Sequence, residues 1–208
     1  MLYAVVRIIR EVVIAWAIQV FTRSDVVRYR TLAAAAAEIK IRNLEGAVAE
    51  LGVYKGDFAS RINRRFPHRT LYLFDTFDGF DKRDVEVENS FDHNAKPNDF
   101  TNKDVNLVLR KMRHPEMCVV RKGWFPESAL GVEDRFVFVS IDADLYEPIY
   151  QGLLFFYPRL ERGGYIFVHD YNGGVYDGAI KAVRRFAEEF KAAYVPVSDL
   201  CGSVVFSK

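Results

Sequence analysis

Two apolar runs in the second half of the chain stop abruptly at carboxylates, and they constrain the fold more than any other feature. Residues 136–141 lead without a charge into Asp142 and Asp144, and residues 165–168 lead into His169 and Asp170. Such runs are typical of strands that are buried on both faces of a parallel sheet. Ligands of open α/β sheets bind outside the carboxyl ends of the strands, so we expect these acidic groups at one crevice.

Asp142, His169 and Asp170 are therefore candidate metal ligands. Carboxylates that lie close together repel each other unless a cation or a proton sits between them. Oxygen ligands favour Mg²⁺, and a histidine ligand shifts the preference toward Mn²⁺ or a later transition metal. Two structural alternatives stay open: each aspartate caps the helix that follows it, or His169 turns away and hydrogen-bonds Asp170.

The rest of the chain alternates strand patterns with helix patterns. Strands are predicted at residues 47–51, 70–74, 117–121, 136–141 and 165–168, with a terminal hairpin at 194–197 and 203–206. Helices are predicted at residues 57–65, 105–112, 147–157 and 179–190. The order predicts a Rossmann-like α/β fold, a seven-stranded and mostly parallel sheet with helices on both faces. The polar segment 81–102 is expected to be a long loop that serves as a lid.

The first 43 residues are predicted to form a helical extension that acts as a lid or an oligomerisation segment, ahead of a domain at 44–208. Residues 2–21 are apolar at helical spacing but carry Arg7, Arg10 and Glu11, which argues against a signal peptide and a transmembrane segment. We expect an amphipathic helix that covers the pocket or packs on a partner subunit, giving a homodimer or larger assembly. Contact with a membrane surface is the alternative.

The composition argues against nucleic acid as a partner and indicates a compartment. The 208 residues include 29 basic and 28 acidic side chains, so the chain lacks the positive footprint of a nucleic-acid-binding protein. Cys118 and Cys201 have no metal-binding spacing and are expected to be buried thiols in a reducing compartment, which predicts a cytoplasmic protein.

The turn after the first strand carries Glu50, Gly52 and Gly56. Glycines there let the backbone approach a ligand, but the spacing differs from the dinucleotide fingerprint and a carboxylate stands first. This disfavours a pyrophosphate and suits a cationic ligand. Asp75 ends the next strand, where an acidic residue can accept both hydroxyls of a ribose; capping a helix or turn is the alternative.

Residues 122–126 follow the third strand and contain Gly123, Trp124 and Phe125. The aromatic pair could sandwich an adenine, with Gly123 giving the backbone room. Packing of both rings in the core is the alternative.

Six stretches together resemble the metal-dependent O-methyltransferases of macrolide and aminocoumarin sugars, the macrocin O-methyltransferase family. They run in family order at residues 48–56, 73–80, 122–126, 140–146, 157–164 and 169–171. The most specific features are Phe-Asp-Thr-Phe-Asp-Gly-Phe at 74–80 and Asp-Ala-Asp-Leu-Tyr at 142–146. The resemblance implies a class I methyltransferase fold and S-adenosylmethionine as the methyl donor.

The resemblance also implies roles for single residues. The donor-binding positions would be Glu50, Gly52, Tyr54, Gly56, Asp75, Thr76, Phe77, Gly123, Trp124 and Asp142. Asp142, His169 and Asp170 would hold the metal, and Asp144 would be the general base beside Asp142. This chain has His169 where the family usually has an aspartate.

The function that follows is metal-assisted methyl transfer to a hydroxyl, expected on the sugar of a glycan or glycosylated metabolite. A small catechol-like acceptor is one alternative, because two adjacent phenolic oxygens would chelate the same metal. A non-catalytic protein that binds S-adenosylmethionine is another. A nicotinamide-dependent oxidoreductase is disfavoured by the glycine spacing and by Glu50.

Overall fold

The structure, a computed structural model, describes residues 25–173 and 176–208. The amphipathic helix predicted over residues 2–21 lies outside these ranges. Within them, no helix combines the length and the apolar character needed to cross a membrane.

Seven strands form one sheet. They are β1 (Ala47–Leu51), β2 (Leu71–Asp75), β3 (Cys118–Lys122), β4 (Phe136–Ile141), β5 (Leu160–Val168), β6 (Tyr194–Val197) and β7 (Ser203–Ser207). Their order across the sheet is β3-β2-β1-β4-β5-β7-β6. The first five strands pair in parallel, and β7 runs antiparallel to both β5 and β6. The predicted seven-stranded, mostly parallel sheet is confirmed, and its chain order reverses between β1 and β4.

Six α-helices flank the sheet in the described residues. They are α1 (Val26–Ile41), α2 (Asp57–Arg65), α3 (Lys82–Asn89), α4 (Val105–Lys111), α5 (Tyr146–Arg159) and α6 (Gly178–Phe190). Helices α5 and α6 cover one face of the sheet through apolar residues such as Leu153 and Val183. Helices α1, α2 and α4 cover the other face through residues such as Leu32, Ile62 and Val108. Burial on both faces explains why β1 and β4 read as unbroken apolar runs.

Helix α1 packs into the same core as the sheet rather than standing apart from it. Leu32 and Ile39 are buried against residues of the central strands. Its N-terminus begins where the Asp25 side chain accepts a hydrogen bond from the backbone N–H of Arg28. The described part of the predicted N-terminal extension is therefore continuous with the domain that follows.

The segment 81–102 is not the loop that its polar composition suggested, because it contains α3. Asp84, Val85 and Glu88 lie on the buried side of this short helix. The fully buried Glu88 carboxylate accepts hydrogen bonds from the backbone N–H groups of Tyr146 at 2.8 Å and Gly178 at 3.2 Å. One acidic side chain thus satisfies the N-terminal turns of two helices, a reason for its burial that no apolar pattern can reveal.

Candidate functional site

A cavity of about 510 Å³ opens at the carboxyl ends of the parallel strands. Its volume falls in the range typical of small-molecule sites. Most of the predicted site residues line it: Glu50, Gly52, Tyr54, Asp75, Thr76, Gly123, Trp124, Asp142, Asp144, His169 and Asp170. The crevice expected from the two apolar runs is therefore present, at the reversal of strand order.

Gly56 and Phe77 are the two predicted donor-binding residues that do not line the cavity. Gly56 precedes α2 with φ of +78°, and a Cβ there would lie 2.7 Å from the Val108 side chain. The glycine thus serves the helix start and its packing on α4. The Phe77 ring is fully buried in the core, and only its backbone N–H reaches the site, donating to Asp75 at 2.6 Å.

Glu50, at the end of β1, has a buried carboxylate with an unpaired oxygen. Its Oε2 has no hydrogen-bond partner among the described residues. Burial, and then the charge of Asp142, raises the pKa of Glu50 well above its ordinary value. A buried unpaired carboxylate oxygen is costly, and a cationic ligand group would relieve that cost.

Asp75 is held by the turns around it. Its Oδ2 accepts from the backbone N–H groups of Val53 and Tyr54, both at 2.7 Å, and its Oδ1 accepts from Phe77. A carboxylate has about four lone-pair positions, so one remains on Oδ1. Asp75 therefore keeps acceptor capacity at the cavity, and its contact with a ribose stays a prediction.

Trp124 and Phe125 do not form the predicted aromatic pair. Phe125 is buried and packs on Phe74 with ring centroids 5.6 Å apart, although its edge reaches the cavity. The Trp124 indole is fixed separately: its Nε1–H donates to Asp84 at 3.0 Å, and the Arg83 guanidinium lies 3.7 Å from the ring centroid. Trp124 is therefore the aromatic side chain positioned to stack on a ligand.

Asp142, directly after β4, forms a partly buried ion pair with Arg28 from α1. The guanidinium Nη1 donates to Asp142 Oδ2 at 2.9 Å, and Nη2 donates to Ser140 Oγ at 3.1 Å. Arg28 is itself buried. Burial acts to raise the pKa of Asp142, but the charges of Arg28 and His169 outweigh it and hold this pKa far below its ordinary value.

His169 lies between two carboxylates. Its Nδ1 is 3.1 Å from Asp142 Oδ1 and 3.1 Å from Asp170 Oδ1. A ring nitrogen in that position must carry hydrogen, because its lone pair would otherwise face two anions. Burial opposes the charged imidazole, but Asp142 outweighs it and raises the pKa of His169 to about 10.

Asp144 is the carboxylate of this cluster whose charge its surroundings stabilise least. Burial, followed by the charges of Asp170 and Asp142, raises its pKa well above the ordinary value, and no hydrogen-bond donor is among the leading influences. Asp144 and Asp170 both have φ of +59°, a left-handed conformation that costs free energy for a residue with a Cβ. Such strain concentrates at functional sites.

The comparison with protein families decides what kind of chain this is. The profile of the macrocin O-methyltransferase family, described as Macrocin-O-methyltransferase (TylF), matches residues 7–206. The chain belongs to this family.

One curated relative has a sequence related to part of this chain. A stretch of 88 residues, 40% of this chain, is 32% identical to the 8-demethyl-8-(2,3-dimethoxy-alpha-L-rhamnosyl)-tetracenomycin-C 4'-O-methyltransferase of Streptomyces olivaceus. That stretch spans 31% of the curated relative's length.

Two solved structures confirm the Rossmann-like methyltransferase fold, each with a TM-score of 0.69. The O-methyltransferase NovP is 20% identical, and the match covers 88% of this chain and 80% of NovP. The calicheamicin methyltransferase CalS11 is 17% identical, with 86% of this chain and 78% of CalS11 covered.

The site of this family member fits S-adenosylmethionine. The methionine end of that donor carries an ammonium, a carboxylate and, at its junction with the adenosine, a sulfonium. Two buried polar atoms in the described residues match these charges, since Glu50 Oε2 and Arg28 Nε both lack a partner. Asp75 and Trp124 stand at the ends of β2 and β3, where a ribose and an adenine would follow.

A divalent metal fits the predicted ligand set less well. Both oxygens of Asp142 already contact cationic or donor nitrogens, and His169 Nδ1 is directed as a donor. Among the described residues, His169 and Asp170 belong to groups of three ligand atoms within 4.8 Å, but Asp142 belongs to none. The three residues do meet at one end of the cavity, yet they do so as a hydrogen-bonded charge network.

Sequence reasoning missed Arg28 and Asp84. Arg28 lies 114 positions before its partner Asp142, and a single arginine near an alanine-rich stretch gives no signal of burial. Asp84 sits in a charged segment that favours a solvated loop, whereas burial raises its pKa to about 7. Only the three-dimensional arrangement reveals either residue.

Proposed function

We propose that this chain is an S-adenosylmethionine-dependent O-methyltransferase that acts on a hydroxyl of a sugar, in a glycan or a glycosylated metabolite. The observation that carries the proposal is the buried Glu50 carboxylate oxygen, which has no partner within residues 25–173 and 176–208 and belongs to a residue that lines the same cavity as Asp144. The first suits a cationic donor, and the second suits a hydroxyl that must lose its proton.

Residues at the ends of β1, β2 and β3, together with Arg28, would bind the donor. Glu50 offers its unpaired oxygen to a positive charge, and Arg28 offers Nε to a carboxylate. Asp75 keeps one acceptor position for a ribose hydroxyl, and Trp124 offers an indole face that Asp84 and Arg83 hold in place. When bound, S-adenosylmethionine supplies an electrophilic methyl group.

Removal of the acceptor proton falls to Asp144. Burial and the charges of Asp170 and Asp142 raise its pKa, so its deprotonated form is a stronger base than an ordinary aspartate. Asp142 cannot take this role in the same arrangement, because Arg28 and His169 stabilise its charged form. Alignment of the hydroxyl with the methyl group then contributes through orientation, an entropic effect.

A sugar acceptor is supported by the names of relatives. The relative from Streptomyces olivaceus is named for methylation of a rhamnosyl group, and a second CalS11 structure is titled as a TDP-rhamnose 3'-O-methyltransferase. The cavity's apolar lining, which includes Tyr54, Phe80 and Phe100, provides the aromatic surface on which a sugar ring or its aglycone could pack.

The predicted divalent metal enters no step of this proposal. Asp142, His169 and Asp170 would be its ligands, with Mg²⁺ or Mn²⁺ as the ion, only after Arg28 withdrew from Asp142. In that arrangement the metal would polarise the acceptor hydroxyl.

The assembly and location also belong to the proposal. We infer a homodimer or larger assembly, formed through the apolar segment 2–21, and a cytoplasmic protein. Support for the location comes from Cys118 and Cys201, which are free thiols. Size-exclusion chromatography with light scattering, with and without residues 1–24, tests the assembly.

Transfer of a labelled methyl group from S-adenosylmethionine tests the function. Purified protein is incubated with TDP-rhamnose, with rhamnosyl glycosides and, as the catechol alternative, with caffeic acid. Methylation of a sugar that is lost in Asp144→Asn supports the proposal. Methylation of caffeic acid alone would move the acceptor to the catechol class, and donor binding without transfer to any acceptor would favour a non-catalytic protein.

A further inference from the structure

We propose that Arg28 and His169 take the place of a divalent metal in this chain, so that its site is charge-balanced without one. The inference rests on the proposed methyl transfer for its meaning, but its test is independent of any acceptor. Under this inference, the chain differs from an enzyme in which a metal bridges the aspartates at the strand ends.

Arg28 occupies the position of a permanent cation at Asp142. A guanidinium keeps its charge throughout the physiological pH range. The Arg28 side chain is buried, and its Nη1 lies 2.9 Å from Asp142 Oδ2. Its Nη2 donates to Ser140 Oγ, near the end of the central strand β4. A buried guanidinium with an additional hydrogen bond is held in a defined geometry, unlike a mobile surface side chain.

His169 provides the second contact. It bridges Asp142 and Asp170 through a single ring nitrogen, at 3.1 Å to each carboxylate. An aspartate at this position would instead add a third carboxylate to the cluster, which would need a cation from outside. The histidine therefore removes one anion and supplies a donor in the same place.

A divalent ion would compete directly with these groups. Ions of this kind bind carboxylate oxygens at about 2.0–2.6 Å, so an ion on Asp142 would stand within a few ångströms of the Arg28 guanidinium. Like charges at that separation repel strongly in a buried site. The predicted triad consequently offers two anions that are already neutralised by two nitrogen groups.

One consequence concerns the acceptor. A metal can hold two neighbouring oxygens of a substrate, whereas Arg28 and His169 are committed to carboxylates. The acceptor must then be oriented by protein groups around Asp144, and it does not need a second oxygen for chelation.

Binding of Mn²⁺, followed by the electron paramagnetic resonance signal of the free ion, tests the proposal. The proteins are wild type, Arg28→Gln, the double variant Arg28→Gln/His169→Asp, and Arg30→Gln as the matched control. Arg30 is an exposed arginine on the same helix. Near-ultraviolet circular dichroism confirms that each variant is folded.

Wild type and Arg30→Gln should show no saturable Mn²⁺ site below about 1 mM, and Arg28→Gln/His169→Asp should bind at least about tenfold more tightly. Arg28→Gln should lie between them. Saturable micromolar binding to wild type, or equal weak binding by wild type and a folded double variant, would overturn the proposal. If neither variant folds, the wild-type titration decides alone. Titration of S-adenosylmethionine in EDTA is read separately, and its failure would count against the proposed function rather than this inference.

Discussion

The two halves of the cavity differ in how their charges are satisfied. In the donor half, at the ends of β1 to β3, Asp75 is held by backbone N–H groups while Glu50 keeps an unpaired oxygen. In the charge-cluster half, at the ends of β4 and β5, Asp142 and Asp170 are satisfied by Arg28 and His169. In the described residues, the donor half leaves a buried carboxylate oxygen without a partner, whereas the charge-cluster half already holds its own cationic groups.

The largest effect is expected at Asp144, which has no ion pair with a cation in the described part of the chain. Asp144→Asn removes the proposed base and should lower kcat by about 10²–10⁴-fold, while the Kd for S-adenosylmethionine changes less than about threefold. Initial rates with the identified acceptor and calorimetric titration of the donor measure the two effects. The exposed Asp92 provides the matched control, Asp92→Asn. Near-normal turnover in Asp144→Asn would remove the base from this residue.

Arg28→Met tests whether the charge-cluster half depends on its internal cation for stability. Losing Arg28 leaves His169 as the cationic contact of Asp142 in the described residues and should lower the free energy of unfolding by about 1–3 kcal/mol. Arg30→Met on the exposed side of α1 should change it by less than about 0.5 kcal/mol.

Urea denaturation of Arg28→Met, Asp142→Asn and the double variant completes a mutant cycle. The double variant should lose less than the sum of the two single losses, because neither charge is then left alone. Strict additivity would show that the ion pair contributes nothing specific.

Glu50→Gln tests whether binding of S-adenosylmethionine to the donor half depends on the charge of Glu50. The change keeps the shape of the side chain but removes the charge that faces the ligand, so affinity for S-adenosylmethionine should fall by about 10–100-fold. Calorimetry measures the effect, with the exposed Glu45 as control in Glu45→Gln. Unchanged affinity would mean that Glu50 does not face the donor's positive charge.

The smallest effect concerns Asp84, whose pKa burial raises to about 7. Because the folded-state pKa lies above the ordinary value, the folded state binds this proton more tightly than the unfolded chain does. The resulting stability is complete below about pH 4 and is lost as the pH rises through about pH 7.

Asp84→Asn is neutral throughout and should remove this part of the pH dependence, on the order of 1–3 kcal/mol between about pH 5 and about pH 8. Thermal or urea unfolding at both pH values gives the difference. An identical decline in wild type and variant would show that Asp84 titrates normally.

The contrast between the halves also explains what the sequence could predict. The donor half comes from short local motifs. Asp75 ends β2 and Glu50 is the second-last residue of β1, and the apolar patterns place both strands within a residue of their observed positions. The charge-cluster half depends on Arg28, which reaches Asp142 only because α1 packs on the sheet. Local pattern carries no information about such a contact.

Two further differences have the same origin. Helix α3 was hidden because its buried side consists largely of the carboxylates of Asp84 and Glu88, which binary patterning assigns to solvent. Phe77 follows Asp75 by two positions, and alternation alone could not decide that its ring enters the core rather than the cavity.

Calorimetric titration of S-adenosylmethionine into the wild-type protein, in EDTA and again with Mg²⁺, tests the central claim most directly, with NAD as the control ligand. The account predicts saturable binding of S-adenosylmethionine in EDTA, the same affinity with Mg²⁺, and no binding of NAD. Absence of donor binding in both buffers would contradict the proposed function, and binding only with Mg²⁺ would contradict a charge cluster that is complete without metal.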